Sequence, residues 1–335
     1  MKRTLGAALA ALALFAAACG DDDDDAGVSG TEPAVAADGT GGAAATSPVT
    51  IEHRYGTTVI EDTPERVVTL GLQWTDVLLA LDVQPVAYLA DQLADEGGLF
   101  PWQTGLLDDS TALVAATATE IPYEQIAAQR PDLILVTYYA EDAEVYDRLA
   151  EIAPTIGLLG ERQVDRWQDL IEVAGRIFGM PDEAAAAIAE VDDLVAATAA
   201  ELPGLEGRTF AMANYVPGDQ IYVVADPEDG SSVFFQQLGM TLDPDVLAAA
   251  DGVSGRAEFS FEQVGLLDGD LLVMFTNGED PSTLVGYDQL EVVQRGAVAV
   301  LDYADVVALN TPTPLSIPYV LDIVRPQLEI AAGAS

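Results

Sequence analysis

The chain has 335 residues, with 56 Asp and Glu against 13 Lys and Arg, a net charge of -43, one His and one Cys. So negative a chain argues against nucleic acid, whose phosphates demand Lys and Arg, and against electrostatic docking on anionic lipid. A single Cys and a single His exclude a disulfide framework, Cys-rich metal or iron–sulfur sites and multi-His zinc centres.

The first nineteen residues account for the lone Cys. Lys2 and Arg3 form a positive start. Leu5 to Ala18 is apolar but too short to cross a bilayer, which takes about 20 helical residues. It ends in Ala16-Ala17-Ala18-Cys19-Gly20, which resembles a bacterial lipoprotein signal, with residues 1–18 removed and lipid placed on Cys19. The remaining chain carries 56 acids against 11 bases, a net of -45. Residues 19–48 open with Asp21 to Asp25 and continue in Gly, Ala, Ser and Thr. Such a segment cannot bury enough surface to fold and reads as a flexible tether.

From Val49 the pattern alternates between β and α. Ile51 to Ile60 reads as a hairpin, Arg66–Leu70 and Pro85–Tyr88 as strands, and Asp76–Leu81 as a helix. Glu124–Gln129 reads as a short helix feeding the strand Asp132–Val136. Ala143–Glu151 is helical and Thr155–Leu158 a strand. Val164–Phe178 is an amphipathic helix. Pro181–Leu202 is a longer one, with Pro in its first turn, Asp182 and Glu183 beside it, and Pro203-Gly204 beyond its end. Then βα units resume, with strands at Arg208–Ala213, Ile221–Val224, Leu271–Phe275 and Val298–Leu301 and a last helix over Leu315–Ile330. Short buried strands between helices predict an α/β fold with mainly parallel sheets.

The halves echo each other. Glu124-Gln125-Ile126 lies eight residues before Asp132-Leu133-Ile134-Leu135, and Glu262-Gln263-Val264 lies eight before Asp270-Leu271-Leu272-Val273. Each is a short helix with an acid in its first turn, then a buried strand. This predicts two Rossmann-like lobes, 49–180 and 204–335, bridged by one long rigid helix over 181–203.

Those residues carry a resemblance. With Glu52-His53-Arg54-Tyr55-Gly56, Thr63-Pro64-Glu65-Arg66-Val67-Val68, Pro101-Trp102, Pro131-Asp132, Ile152-Ala153-Pro154-Thr155 and Leu315-Ser316-Ile317-Pro318-Tyr319, the chain resembles the siderophore-binding lipoproteins of bacterial iron-uptake ABC transporters. It looks closest to those of actinobacteria, in the class that also carries haem and cobalamin. The resemblance implies a class III periplasmic binding protein, a helical-backbone metal receptor with its ligand in the cleft between the lobes. It implies a lipid-anchored monomer outside the membrane that captures a ferric siderophore and delivers it to an ABC permease dimer. It implies no catalysis and no cofactor, because the chelator already holds the iron. It also implies that Glu124 and Glu262 dock against Arg residues of the permease.

A bulky amphipathic chelate wants aromatic walls and hydrogen-bond donors. Trp74, Trp102, Tyr138, Tyr139 and Tyr215 are the aromatic candidates in loops after strands. Against an acidic background any cleft Arg stands out, and Arg256 and Arg162 are the candidates for contacting an anionic chelate. A surface ion pair is the competing account of each. Arg66 and Arg130 sit before strands, at the far end of the sheet, and read as structural. His53 sits in the hairpin and also reads as structural, so no Ser–His–Asp set assembles around it. A haem-binding variant of the same fold would need Tyr139 or Tyr215 on iron. An extracytoplasmic hydrolase would need a carboxylate pair, which no spacing selects.

Overall fold

The computed structural model describes residues 48–94, 96–115, 121–140, 142–250, 252 and 255–333. The expected signal peptide, the lipidation site Cys19 and the tether lie outside the described residues.

The hairpin pairs β1 (Val49–His53) with β2 (Gly56–Ile60). The first half then builds a five-stranded, wholly parallel sheet. Its strands are β3 (Val67–Leu70), β4 (Ala87–Leu89), β5 (Ala112–Val114), β6 (Leu133–Val136) and β7 (Thr155–Ile156), in the order β5-β4-β3-β6-β7. Helices α1 (Leu72–Ala80), α2 (Tyr123–Ala128) and α3 (Ala143–Ala150) pack around it. Every residue of β3 and β6 is buried. That follows from helices covering both faces, and it is why these strands read as unbroken apolar runs.

Two helices then leave the sheet. The α4 helix (Trp167–Phe178) ends at Gly179, in the left-handed conformation that only glycine adopts cheaply. The α5 helix (Pro181–Glu201) starts two residues later with Pro181, Asp182 and Glu183 in its first turn. Its 21 residues span about 31 Å. It buries only one stripe, Ala184, Val191, Val195 and Thr198. A Cβ at Gly175 would lie 2.7 Å from that of Ala184, so glycine permits the close α4–α5 crossing.

The second half forms a six-stranded sheet from β8 (Thr209–Tyr215), β9 (Ile221–Val224), β10 (Thr241–Leu242), β11 (Arg256–Phe259), β12 (Leu271–Phe275) and β13 (Val298–Leu301). The order is β11-β9-β8-β12-β13, with β10 against the start of β8. Helices α6 (Gly230–Gln237), α7 (Pro244–Ala249), α8 (Glu291–Gln294), α9 (Tyr303–Asn310) and α10 (Ser316–Ala331) complete it. Ile221–Val224 does not open a parallel βα unit, as expected, but runs antiparallel to β8. Five residues, Val216 to Gln220, link the two, and a parallel crossover takes a dozen or more.

The described residues form one compact unit, so the division into lobes is one of sheets. A single apolar core runs through both, from Trp74 and Leu78 through Leu170 and Val191 to Phe210, Leu271 and Val324. Smaller cores lie on the outer faces, around Ile134 and Val136 in the first half and Phe259 and Met274 in the second.

Candidate functional site

The site lies where the two sheets meet. Gly71 (φ 138°) ends β3, and a Cβ there would stand 2.2 Å from Thr137 Oγ1 at the end of β6. The chain turns at once into α1, four residues before the expected helix start. That turn decides the fate of Trp74. Expected in a loop facing ligand, it lies inside α1, 0% exposed, in the shared core, and its indole N–H has no partner. It cannot touch a ligand. Tyr215 is likewise corrected. It is the last residue of β8, 5% exposed, packed edge-on to Phe261, with its hydroxyl 3.4 Å from Thr283 Oγ1.

The other aromatic candidates do reach the junction. Tyr138 and Tyr139 follow β6, half-buried and stacked at 4.7 Å. They share a small hollow of about 20 Å³ with Asp91 and Phe100, room for little more than one water. Tyr303, just beyond β13, donates its phenol to Asp91 Oδ2 at 3.0 Å beside it. Burial foremost, and the neighbouring Tyr139 and Asp91, push the Tyr138 phenol far up. Burial and Asp91 do the same to Tyr303, and burial raises Tyr139. All three therefore stay protonated as hydrogen-bond donors.

Trp102 is half-buried and committed. It stacks on Phe100 at 4.8 Å, tilts against Tyr319 at 5.1 Å, and donates its indole N–H to Asp76 Oδ2 at 2.8 Å. It backs the cleft wall rather than forming an open contact. Asp76 also accepts from Gln103 at 2.5 Å and, from the α9–α10 link, Thr313 at 2.5 Å. Burial raises its carboxyl to about 6 against those three hydrogen bonds. Gln73 adds a second tie, donating to the Asp165 and Pro312 carbonyls.

At the other end of α9 the junction opens into a cavity of about 700 Å³, in the size range of small-molecule sites. Its walls are the link from β7 to α4 (Arg162, Arg166, Trp167) on one side and Glu228, Asp229 and α6 on the other, with Asn310 and Pro312 between. Tyr303 and Asn310 are the first and last residues of α9, so one helix of about 10 Å runs along the whole cleft.

Of the two candidate arginines Arg162 lines this cavity and Arg256 sits against its lining residues Asp229 and Asn310, but neither is free. Arg162 pairs with Glu228 at 2.7 Å and Asp226 at 3.5 Å, and Arg256 with Asp229 at 3.0 Å while also donating to Asn310 at 2.9 Å. The ion-pair account holds for both.

Glu124 and Glu262 are exposed in the first turns of α2 and of the 3-10 segment Phe261–Leu267. A connection that precedes a parallel strand starts at that sheet's carboxyl end, so both acids lie on the cleft-side face. His53 is buried in the hairpin, bonded to Thr58 at 3.0 Å and near the Tyr146 hydroxyl at 3.3 Å, and burial lowers its pKa. Arg66 binds the Gln129 and Arg130 carbonyls, as a structural residue does. Among the described residues no helix is long and apolar enough to cross a membrane, and no group of three or more His, Cys, Asp or Glu is placed to hold a metal.

Sequence reading missed Asp91, Tyr303 and Asp76. The first two were within reach, since each lies shortly after an expected strand. Asp76 carried no signal, because only the fold brings its three donors together.

Two α/β sheets joined by one long helix, with a cleft at the strands' carboxyl ends, define the class III, helical-backbone binding proteins. The model of the periplasmic binding protein family matches residues 67–292, and the chain belongs to that family. It is 27% identical over 236 residues to the probable siderophore-binding lipoprotein YfiY of Bacillus subtilis, covering 69% of this chain and 70% of that one. It is 31% identical over 205 residues to the ferric enterobactin-binding periplasmic protein FepB of Escherichia coli, covering 59% and 63%. A periplasmic solute binding protein from Mycobacterium smegmatis superposes with a TM-score of 0.72 at 27% identity, covering 85% of this chain and 99% of that one.

Proposed function

We propose that the chain captures a ferric siderophore between its sheets, outside the cytoplasmic membrane, and hands it to an ABC permease without catalysis. The observation that carries this is the 700 Å³ cavity walled from both halves, at the Asn310 end of α9, whose other end, Tyr303, lies beside a cluster of protonated phenols. The names of YfiY and FepB support the same ligand class. Tyr138, Tyr139 and Tyr303 pack against the organic shell and donate to chelating oxygens. Arg162 and Arg256 border the space. Glu124 and Glu262 meet basic residues of the permease, one from each half of its dimer, and Cys19 carries the lipid anchor of a monomer.

The haem reading loses support. Its candidate ligands were Tyr139, whose phenol is held away from ionisation, and Tyr215, which is in the core. The hydrolase reading loses support as well. The buried Asp76 and Asp165 carboxyls are raised, yet each is occupied by donors of the fold.

Trp167 lines the cavity. A ferric siderophore should therefore quench intrinsic fluorescence and release or absorb heat in calorimetry. The reading fails if a panel of ferric siderophores, haem and cobalamin leaves both signals unchanged. A Soret band after haem addition would favour haem instead.

A further inference from the structure

We infer that the cleft selects an uncharged or cationic ferric chelate over a polyanionic one. The inference rests on the siderophore reading above and concerns the same cleft.

The charge ledger of the cleft walls carries it. Its guanidinium groups are Arg162 and Arg166, which line the cavity, and Arg256, which bonds to the lining residues Asp229 and Asn310. The first and last already lie against Asp226, Glu228 and Asp229. Asp91 adds a fourth carboxylate at the tyrosine end, and Asp165, on the cavity wall, a fifth. Acid exceeds base inside the cleft as it does over the whole chain.

Pairing alone would not exclude an anion, because exposed ion pairs are weak. What opposes it is the displaced partner. An anionic chelate that takes Arg162 from Glu228 then lies beside the Glu228 carboxylate, and the same holds for Arg256 and Asp229. A neutral or cationic chelate leaves the pairs intact. It presents its chelating oxygens to the phenol hydroxyls, and a pendant ammonium finds Asp91 or the Asp226–Asp229 loop. Complementary charge across an interface sets selectivity in this way. The relative FepB is named for ferric enterobactin, a trianionic chelate. On this inference the present chain differs from it.

The test is calorimetry on the folded protein with three probes. These are a linear ferric trihydroxamate bearing a free ammonium, neutral ferrichrome, and trianionic ferric enterobactin. The cationic and neutral chelates should bind at least about ten-fold more tightly than the trianion. Added salt should weaken the cationic complex most. Asp226→Asn with Glu228→Gln should narrow the gap by about ten-fold, strengthening the trianion and weakening the cation, whereas a merely structural role would weaken all three alike. Tightest binding of the trianion would overturn the inference and leave the siderophore reading standing. Silence with all three probes would overturn both.

Discussion

Tyr303 reaches across the junction and donates its phenol to Asp91 at 3.0 Å, tying the end of β13 in one sheet to the end of β4 in the other. The hollow behind this contact holds about 20 Å³, while the far end of α9 opens into about 700 Å³. The cleft is therefore narrow at its tyrosine end, and the Tyr303–Asp91 bond is the contact we expect a ligand to part on its way to Tyr138 and Tyr139.

Tyr303→Phe removes the bond. A hydrogen bond to a carboxylate contributes about 1.5–3 kcal/mol when buried and less where Asp91 can take up water. The variant should associate with a ferric chelate several-fold faster, as followed by stopped-flow fluorescence. An unchanged or slower association rate would show that the contact does not gate entry.

The two tryptophans near α1 should rank against their burial. Trp74 is fully buried, but its N–H has no partner, so Trp74→Phe loses packing and relieves an orphaned donor. Its cost should be about 1 kcal/mol. Trp102 is more exposed, yet Trp102→Phe strips a hydrogen bond from the buried Asp76 carboxylate and should cost about 2–3 kcal/mol. Urea unfolding of both variants checks the order. Ligand-induced quenching should survive in Trp74→Phe.

Asp76 sets part of the pH dependence of stability. Its carboxyl is raised to about 6 in the fold from 3.8, so the folded state houses the protonated form better. Its contribution is present in full below about pH 4 and is lost as pH rises through about 6, a change of about 3 kcal/mol. His53 acts the other way. Burial lowers its pKa, so its contribution is lost as pH falls below its unfolded value of 6.5. The difference between wild type and Asp76→Asn isolates Asp76. The variant should be less stable throughout, because its amide NH2 must face a donor, and the gap should shrink between about pH 4.5 and about pH 7.5. A constant gap in urea titrations would contradict this.

Docking is tested by removing both rim acids. Glu124→Ala with Glu262→Ala should leave ligand affinity unchanged, since both side chains are exposed and outside the cavity lining. It should abolish cellular uptake of the iron chelate. Wild-type uptake in the double variant would refute the docking role.

Most of the fold was legible because it depends on local patterns. The α5 helix announces itself through Pro181, its acidic first turn and Pro203. The strands β3, β6 and β12 are apolar runs short enough to be nothing else. The failures came where a distant contact overrides a local pattern. The Arg256–Phe259 segment alternates exposure and became a strand only because β9 lies beside it. Trp74 seemed to belong to a loop because the turn at Gly71 takes one residue, and glycine tolerance of φ 138° does not show in hydropathy.

The candidate site divides along the same line. Composition and charge by themselves argued against nucleic acid and excluded Cys-rich and multi-His metal sites, and residue order showed two echoing halves about one long helix, with Glu124 and Glu262 as counterparts. Which side chains meet in the cleft was decided by tertiary structure alone. Thr313 reaches Asp76, and Tyr303 reaches Asp91, over more than 200 residues of chain. Hydrogen bonds and ion pairs act over a few ångströms of space whatever the separation in sequence, so the partners of Arg162 and Arg256 became visible only once the two sheets were packed together.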